Sequence, residues 1–82
     1  ATADVLDASS DQHRAEAAEM LQRAMEKISG EQRAILHMKE IEGLGYGAIA
    51  EVLGIPEGTV GSRLNKARKE LKTSLIQLGW EA

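Results

Sequence analysis

The sequence predicts an all-α fold of four helices, of which the last is the longest. Apolar residues recur at spacings of three and four along most of the 82-residue chain, which is the period of helices with one buried face. Glycine or proline interrupts this pattern near residues 30, 43–45 and 54–56, and these residue types end or separate helices. No stretch of useful length alternates with a period of two, so we expect no sheet. The length suits one domain.

The first helix is predicted to begin near Ser10, whose hydroxyl can cap the first turn. The preceding residues 1–9 are small, acidic and aperiodic, so we expect a disordered lead-in or linker end there and a single domain at 10–82. The predicted buried stripe of this helix consists of Ala17, Leu21, Ala24, Met25 and Ile28. Ser29 and Gly30 interrupt the pattern and end the helix.

Ser29 also begins the second helix, because Gln32 follows it at the spacing of a capping box. The apolar residues of this helix are Ile35, Leu36, Met38 and Ile41. Glycines at 43 and 45 are expected to stop it, since glycine readily adopts the left-handed conformation. The third helix is short, from Tyr46 to Leu53, and its residues predicted to face inward are Tyr46, Ile49, Ala50 and Leu53.

The fourth helix is predicted to run from about Glu57 to Leu78. Its apolar stripe consists of Val60, Leu64, Ala67, Leu71, Leu75 and Leu78. Between the third and fourth helices, Gly54 supplies a tight turn and Pro56 suits the start of a helix. A short helix, a glycine turn and a longer amphipathic helix together predict a helix-turn-helix across residues 46–72.

Charge is unevenly distributed. The net charge is −3, but residues 1–55 carry 5 basic and 10 acidic side chains, whereas residues 56–82 carry 5 basic and 3 acidic ones. The five basic residues fall within ten positions of the fourth helix. This cluster is either a solvated helix face or a surface for nucleic acid. Only Tyr46 and Trp80 are aromatic, which disfavours the stacking used to bind single strands.

Burial of the apolar stripe turns the opposite face of the fourth helix outward, and in a helix-turn-helix that face enters the major groove of DNA. The candidate DNA-binding residues are Gly58, Thr59, Ser62, Arg63, Asn65, Lys66, Arg68, Lys69 and Lys72. Thr59, Ser62 and Asn65 are candidates for base contacts. The five basic residues would mainly bind phosphates, and the small Gly58 and Gly61 permit close approach.

Other function classes find little support. The chain has no cysteine, and His13 and His37 lie far apart, so we expect no metal site. No catalytic constellation or phosphate loop is present, so we expect neither an enzyme nor a cofactor. No apolar run is long enough for a membrane span, and the absence of cysteine fits a reducing, cytoplasmic compartment. Trp80 either folds back onto the core or docks on a partner, and we favour folding back.

A series of residues also occurs in a characteristic order and spacing: Gln32-Arg33, Glu42-Gly43-Leu44 with Tyr46, Ile49-Ala50-Glu51, Leu53-Gly54-Ile55-Pro56, Gly58-Thr59-Val60, Ser62-Arg63-Leu64 and Ala67-Arg68 with Leu71. In this series, residues 21–72 resemble region four, the C-terminal region, of bacterial RNA polymerase sigma factors of the extracytoplasmic-function class. The resemblance implies that the fourth helix recognises the −35 promoter element. It also implies docking on the flap of the polymerase β subunit and capture by an anti-sigma factor. We expect the domain to be monomeric.

The chain departs from that family at several positions. Gly61 stands where the family usually has a basic residue, and Asn65 where it often has Arg or His. Lys66 replaces a usual Arg, which keeps the charge but loses the bidentate fork. Gly45 stands where the family prefers a serine cap, and Gly47 where it often has Glu. These differences bear on DNA affinity rather than on the fold.

Two alternative functions remain open at this level. One is a sigma-like protein-binding module that engages an anti-sigma factor rather than DNA, which the acidic body and the missing cation at residue 61 favour. The other is a helix-turn-helix repressor of another family, which would dimerise to span two half-sites.

Overall fold

The computed structural model describes residues 2–80, with side chains from residue 12 onward, and it confirms the all-α prediction for these residues. Helix α1 spans Thr2–Lys27, α2 spans Gly30–Leu36, α3 spans Tyr46–Leu53 and α4 spans Glu57–Gln77. A single π-helical turn, His37–Ile41, continues α2. The bounds predicted for the third and fourth helices are therefore confirmed to within one residue.

Helix α1 begins earlier than predicted. It is helical from Thr2, so the predicted cap at Ser10 is wrong and Ser10 lies inside the helix. No glycine or proline precedes Gly30, and a potential capping residue alone does not start a helix where the preceding residues are also compatible with one. The division into a lead-in at 1–9 and a domain at 10–82 stays a prediction, and residues 1, 81 and 82 lie outside the described residues.

Among the side chains of α1 that the structure describes, from residue 12 onward, only those near its C-terminal end belong to the core. Ala24 and Ile28 are buried as predicted, whereas Ala17 and Leu21 are exposed. Residues 12–19 are all exposed, because this part of the helix extends beyond the helices against which residues 24–28 pack.

The corner between α1 and α2 is fixed by side-chain hydrogen bonds. The backbone amide of Gln32 donates to Ser29 Oγ at 3.1 Å, and the amide of Ser29 donates to Gln32 Oε1 at 3.1 Å, which confirms the predicted capping box. Arg33 Nη1 donates to the carbonyl oxygens of Met25 at 3.1 Å and Ile28 at 2.8 Å. These carbonyls belong to the end of α1, where intrahelical donors are missing, so Arg33 caps α1 from the next helix.

The π-helical turn leads into the glycine stop. The amide of Glu42 donates to the carbonyl of His37 at 3.0 Å, and Gly43 has a φ of 69°, which confirms the predicted left-handed termination. A π-helical turn contains an extra residue and so changes the register of the side chains. Consistent with that change, Ile41 is 73% exposed rather than on the apolar side of the helix.

The core lies between α4 and the other helices. The buried residues of its main cluster are Ile28, Ile35, Leu36, Ile49, Ala50, Val60, Leu64 and Ala67. The predicted seam of α4 is thus confirmed at Val60, Leu64 and Ala67, and Leu71 is partly buried against the same cluster. Leu75 and Leu78 are partly buried but are not part of this cluster. Gly54 has a φ of 67°, which reverses the chain between α3 and α4 as predicted. The prediction that Tyr46 faces inward is wrong, since it is 41% exposed at the first position of α3.

Candidate nucleic-acid interface

Helices α3 and α4 form the predicted helix-turn-helix, and the far side of α4 is open to solvent. Val60, Leu64 and Ala67 are completely buried, so the residues opposite them on the helix face outward. The exposed candidates are Gly58, Ser62, Arg63, Asn65, Lys66, Arg68, Lys69 and Lys72. Thr59 is half-buried. Within this set, Ser62, Asn65, Lys66 and Lys69 line one shallow groove on the surface.

The five basic residues of α4 fall into two groups. Arg63 forms an ion pair with Glu31 of α2, and Arg68 Nη2 lies 2.7 Å from Glu40 Oε1 in the π-helical turn. Lys66, Lys69 and Lys72, in contrast, are exposed and have no ion-pair partner among the described residues. The sequence pattern could not separate the two groups, because Glu31 lies 32 residues from Arg63 and Glu40 lies 28 residues from Arg68 along the chain.

The polar side chains of the groove differ in what they can offer DNA. The Ser62 hydroxyl donates to the carbonyl oxygen of Thr59 at 3.0 Å, which leaves only its lone pairs for other partners. In this state it can accept from the amino group of adenine or cytosine but cannot donate to a phosphate. Asn65 is exposed and presents both a donor and an acceptor, the combination that matches adenine in the major groove.

Tyr46 connects the π-helical turn to α4. A Cβ placed on Gly61 would lie 3.5 Å from Tyr46 Cε2, so the ring covers this part of α4. Lys39 Nζ lies 5.6 Å from the centre of the same ring, a cation–π distance. Sequence reasoning missed Lys39 because it belongs to the segment after α2, and only the fold brings it beside the aromatic ring.

The acidic first residue of α4 is directed at α3. A Cβ placed on Gly47 would lie 3.7 Å from Glu57 Oε1, so the carboxylate lies over the first turn of α3. Gly45 caps α3 without a side-chain hydrogen bond. Because a helix N-terminus carries partial positive charge, it favours a carboxylate at this place.

The remaining predicted features are less informative. His37 Nδ1 lies 3.1 Å from Glu42 Oε1 at the surface, and the described residues contain no group of three or more potential metal ligands. Trp80 is 40% exposed beyond the end of α4, so its indole is only partly covered. None of the helices from residue 2 to residue 80 is long and apolar enough to cross a membrane.

Comparison with known proteins identifies a family. The family described as Sigma-70, region 4 matches residues 18–71. The extracytoplasmic-function (ECF) RNA polymerase sigma factor SigE of Mycolicibacterium smegmatis is 39% identical over 57 residues, which are 70% of this chain and 22% of that protein. The ECF sigma factor SigL of Mycobacterium tuberculosis is 41% identical over 56 residues, 68% of this chain and 32% of that protein.

A third relative, the RNA polymerase sigma-H factor of Pseudomonas aeruginosa, is 37% identical over 60 residues, 73% of this chain and 31% of that protein. The chain therefore spans less than a third of the length of these curated relatives. The similarity confirms the predicted resemblance and excludes a repressor of another family. Since the match covers more than half of the chain and includes α3 and most of α4, the chain belongs to the sigma-70 region 4 family, a non-catalytic family of transcription-initiation factors.

Proposed function

We propose that this chain is the promoter-reading domain of a sigma factor and that α4 recognises the −35 promoter element from the major groove. The observation that carries the proposal is the outward face of α4, where Asn65 and Ser62 border a groove flanked by Lys66 and Lys69. Base-reading groups and cations thus occur together on an accessible helix face. Major-groove recognition requires both, because phosphate contacts position a protein and base contacts specify the sequence.

The uneven charge supports the same orientation. Residues 1–55 carry 10 of the 13 acidic side chains, whereas Lys66, Lys69 and Lys72, which have no ion-pair partner among the described residues, lie on α4. A dipolar domain of this kind approaches DNA with α4 first, although its net charge is −3. Thr59, Ser62 and Asn65 are the proposed base contacts, and Lys66, Lys69 and Lys72 are proposed phosphate contacts.

The proposal includes RNA polymerase as a partner. The similar proteins are named RNA polymerase sigma factors, and a promoter-reading domain acts in transcription only when it is held on the polymerase. We place the flap of the β subunit and an anti-sigma factor among the partners and expect the isolated domain to be monomeric. Ile41 and Val52, which are 73% and 65% exposed outside α4, offer apolar surface for a protein partner.

Fluorescence anisotropy with a duplex selected for binding, and a shuffled duplex for comparison, tests the proposal. Affinity for both should fall steeply between about 50 mM and 200 mM salt, because bound lysines release counterions from DNA. The double variant Lys66→Gln, Lys69→Gln should bind at least tenfold more weakly, a loss of about 1.4 kcal/mol.

The matched control is the double variant Gln12→Glu, Gln22→Glu, which changes the net charge by the same amount on exposed positions of α1. It should bind nearly as well as the unchanged protein. Absence of binding at low salt, or an equal loss in both double variants, would contradict DNA recognition by α4.

The second candidate function is a protein-binding module that engages an anti-sigma factor instead of DNA. Two observations favour this function. Gly61 provides no cation near the start of α4, and Arg63 and Arg68 already have acidic partners. This function predicts that the same lysine double variant retains its affinity for a captured anti-sigma factor, and that the unchanged protein shows no salt-dependent affinity for DNA.

A further inference from the structure

Two ion pairs connect α4 to the segment before α3. Arg63 pairs with Glu31 at the start of α2, and Arg68 pairs with Glu40 in the π-helical turn at 2.7 Å. The arginines are five residues apart, which separates them by about 140° around the helix axis. They therefore lie on opposite flanks of the buried seam formed by Val60, Leu64 and Ala67.

The position of each pair limits what its arginine can do for DNA. Arg63 and Glu31 lie in a groove between α2 and α4 that Ser29, Gln32, Ile35 and Lys66 also line. An arginine that binds a phosphate would either leave its carboxylate or bring the phosphate close to it, and in both cases the carboxylate repels the phosphate backbone. Lys66, Lys69 and Lys72 face no such cost, since none of them has an acidic partner among residues 12–80.

We infer that Glu31 and Glu40 hold Arg63 and Arg68 as positioning residues that limit the rotation of α4 about its buried seam, which leaves the phosphate contacts to Lys66, Lys69 and Lys72. This inference rests on the proposed DNA recognition. It departs from the sequence-based assignment of all five basic residues to phosphates. The buried seam decides which face of α4 is outward, and the two flanking pairs limit the rotation that remains, so the pairs act on specificity rather than on charge neutralisation.

Salt dependence distinguishes the two roles. A residue that binds a phosphate contributes about 0.9 to the slope of log K against log salt concentration. Lys69→Gln should lower the slope by about that amount on selected and shuffled duplexes alike. Arg63→Gln and Arg68→Gln should leave the slope nearly unchanged and should reduce affinity for the selected duplex at least about threefold more than affinity for the shuffled duplex. The inference is overturned if either arginine variant lowers the slope as Lys69→Gln does.

Urea unfolding provides a measurement that does not need DNA. In a double-mutant cycle of Glu31→Gln with Arg63→Gln, and a second of Glu40→Gln with Arg68→Gln, the unfolding equilibrium constants should be non-additive by about two- to fivefold. A cycle of Glu51→Gln with Lys69→Gln, two exposed residues that form no ion pair with each other, is the control and should be additive. Additivity in both arginine cycles overturns the inference.

The two proposals fail in different ways. If the unchanged protein does not bind DNA, the proposed function is wrong, and the unfolding cycles alone then decide whether the arginines are held by Glu31 and Glu40. If DNA binds and the cycles are non-additive but the arginine variants lower the slope, the proposed function stands and the positioning role is wrong.

Discussion

Helix α2, at the corner with α1, and helix α3 begin in different ways. At the corner, Ser29 and Gln32 cap each other and Arg33 binds the last carbonyls of α1. At the start of α3, Gly45 makes no side-chain cap, and the carboxylate of Glu57 from another helix lies over the first turn. The scaffold corner is thus fixed by its own local sequence, whereas the short helix of the helix-turn-helix depends on packing against α4. Substitutions at the capping residues should therefore destabilise the corner between α1 and α2, whereas substitutions in α4 should destabilise α3.

The largest expected effect comes from removing the packing on which α3 depends. Leu64 is completely buried in the cluster that contains Ile49 and Ala50 of α3. Leu64→Ala should lower the free energy of unfolding by about 2–5 kcal/mol, because it removes buried methyl groups and leaves a cavity. Urea denaturation followed by circular dichroism measures this loss. Leu21→Ala, at a position that is 45% exposed, is the control and should cost far less. Equal losses would show that α3 does not depend on the seam.

The second-largest effect is expected at the corner between α1 and α2. Arg33→Gln removes charged hydrogen bonds to carbonyls at the end of α1, and we expect a loss of about 1–2 kcal/mol in the free energy of unfolding. The control is Arg23→Gln, whose exposed pair with Glu19 at 3.0 Å is worth about 0.3–0.5 kcal/mol. Hydrogen exchange should locate the loss of protection at the end of α1. A loss no larger than that of the control would mean that Arg33 does not cap α1.

A third substitution addresses α4 itself. A side chain at Gly61 meets Tyr46 only at an ordinary contact distance of 3.5 Å, so the position accepts one. Both Gly61→Ala and Gly61→Arg should raise the free energy of unfolding by up to about 1 kcal/mol, because glycine is a poor helix former. Only Gly61→Arg should also strengthen DNA binding and steepen the salt slope by about 0.9. If Gly61→Ala strengthens binding equally, the gain comes from helix stability and not from charge.

The smallest effect sharpens the contrast between the two helix starts. Gly45 has the extended backbone of a capping residue, and nothing lies within 4 Å of a Cβ placed on it. Gly45→Ser should therefore add a cap and stabilise the protein by a few tenths of a kcal/mol, whereas Ser29→Ala should destabilise it by about 1 kcal/mol. Thermal unfolding compares the two variants. A loss of stability in Gly45→Ser would mean that the start of α3 cannot accept a side-chain cap.

Local rules predicted much of this fold. The reciprocal cap at Ser29, the left-handed glycines 43 and 54 and the seam of α4 each depend on residues within one or two helical turns, so the sequence carried their signal. The predicted start of α1 was wrong because the prediction relied on one possible capping residue, Ser10, although the residues around it are compatible with an uninterrupted helix. No local pattern indicated the π-helical turn.

The outward face of α4 could be predicted from the sequence, but the contacts that its side chains make with other helices could not. The spacing of Val60 and Leu64 was sufficient to place Asn65 and Lys69 outside. It could not separate Arg63 and Arg68 from the lysines, since their partners come from other parts of the chain. Tyr46 was misplaced for the same reason, because its ring is positioned by Lys39 and Gly61 rather than by the period of α3.

The π-helical turn also constrains the number of residues between α2 and α3. It carries both Lys39, which faces the Tyr46 ring, and Glu40, which binds Arg68. Deleting one residue there would restore an ordinary α-helical turn and rotate the rest of the segment by about 100°. That rotation would separate both contacts at once. Variants of this domain should consequently tolerate changes of side chain at Ile41 more readily than a change in the length of the segment that contains it.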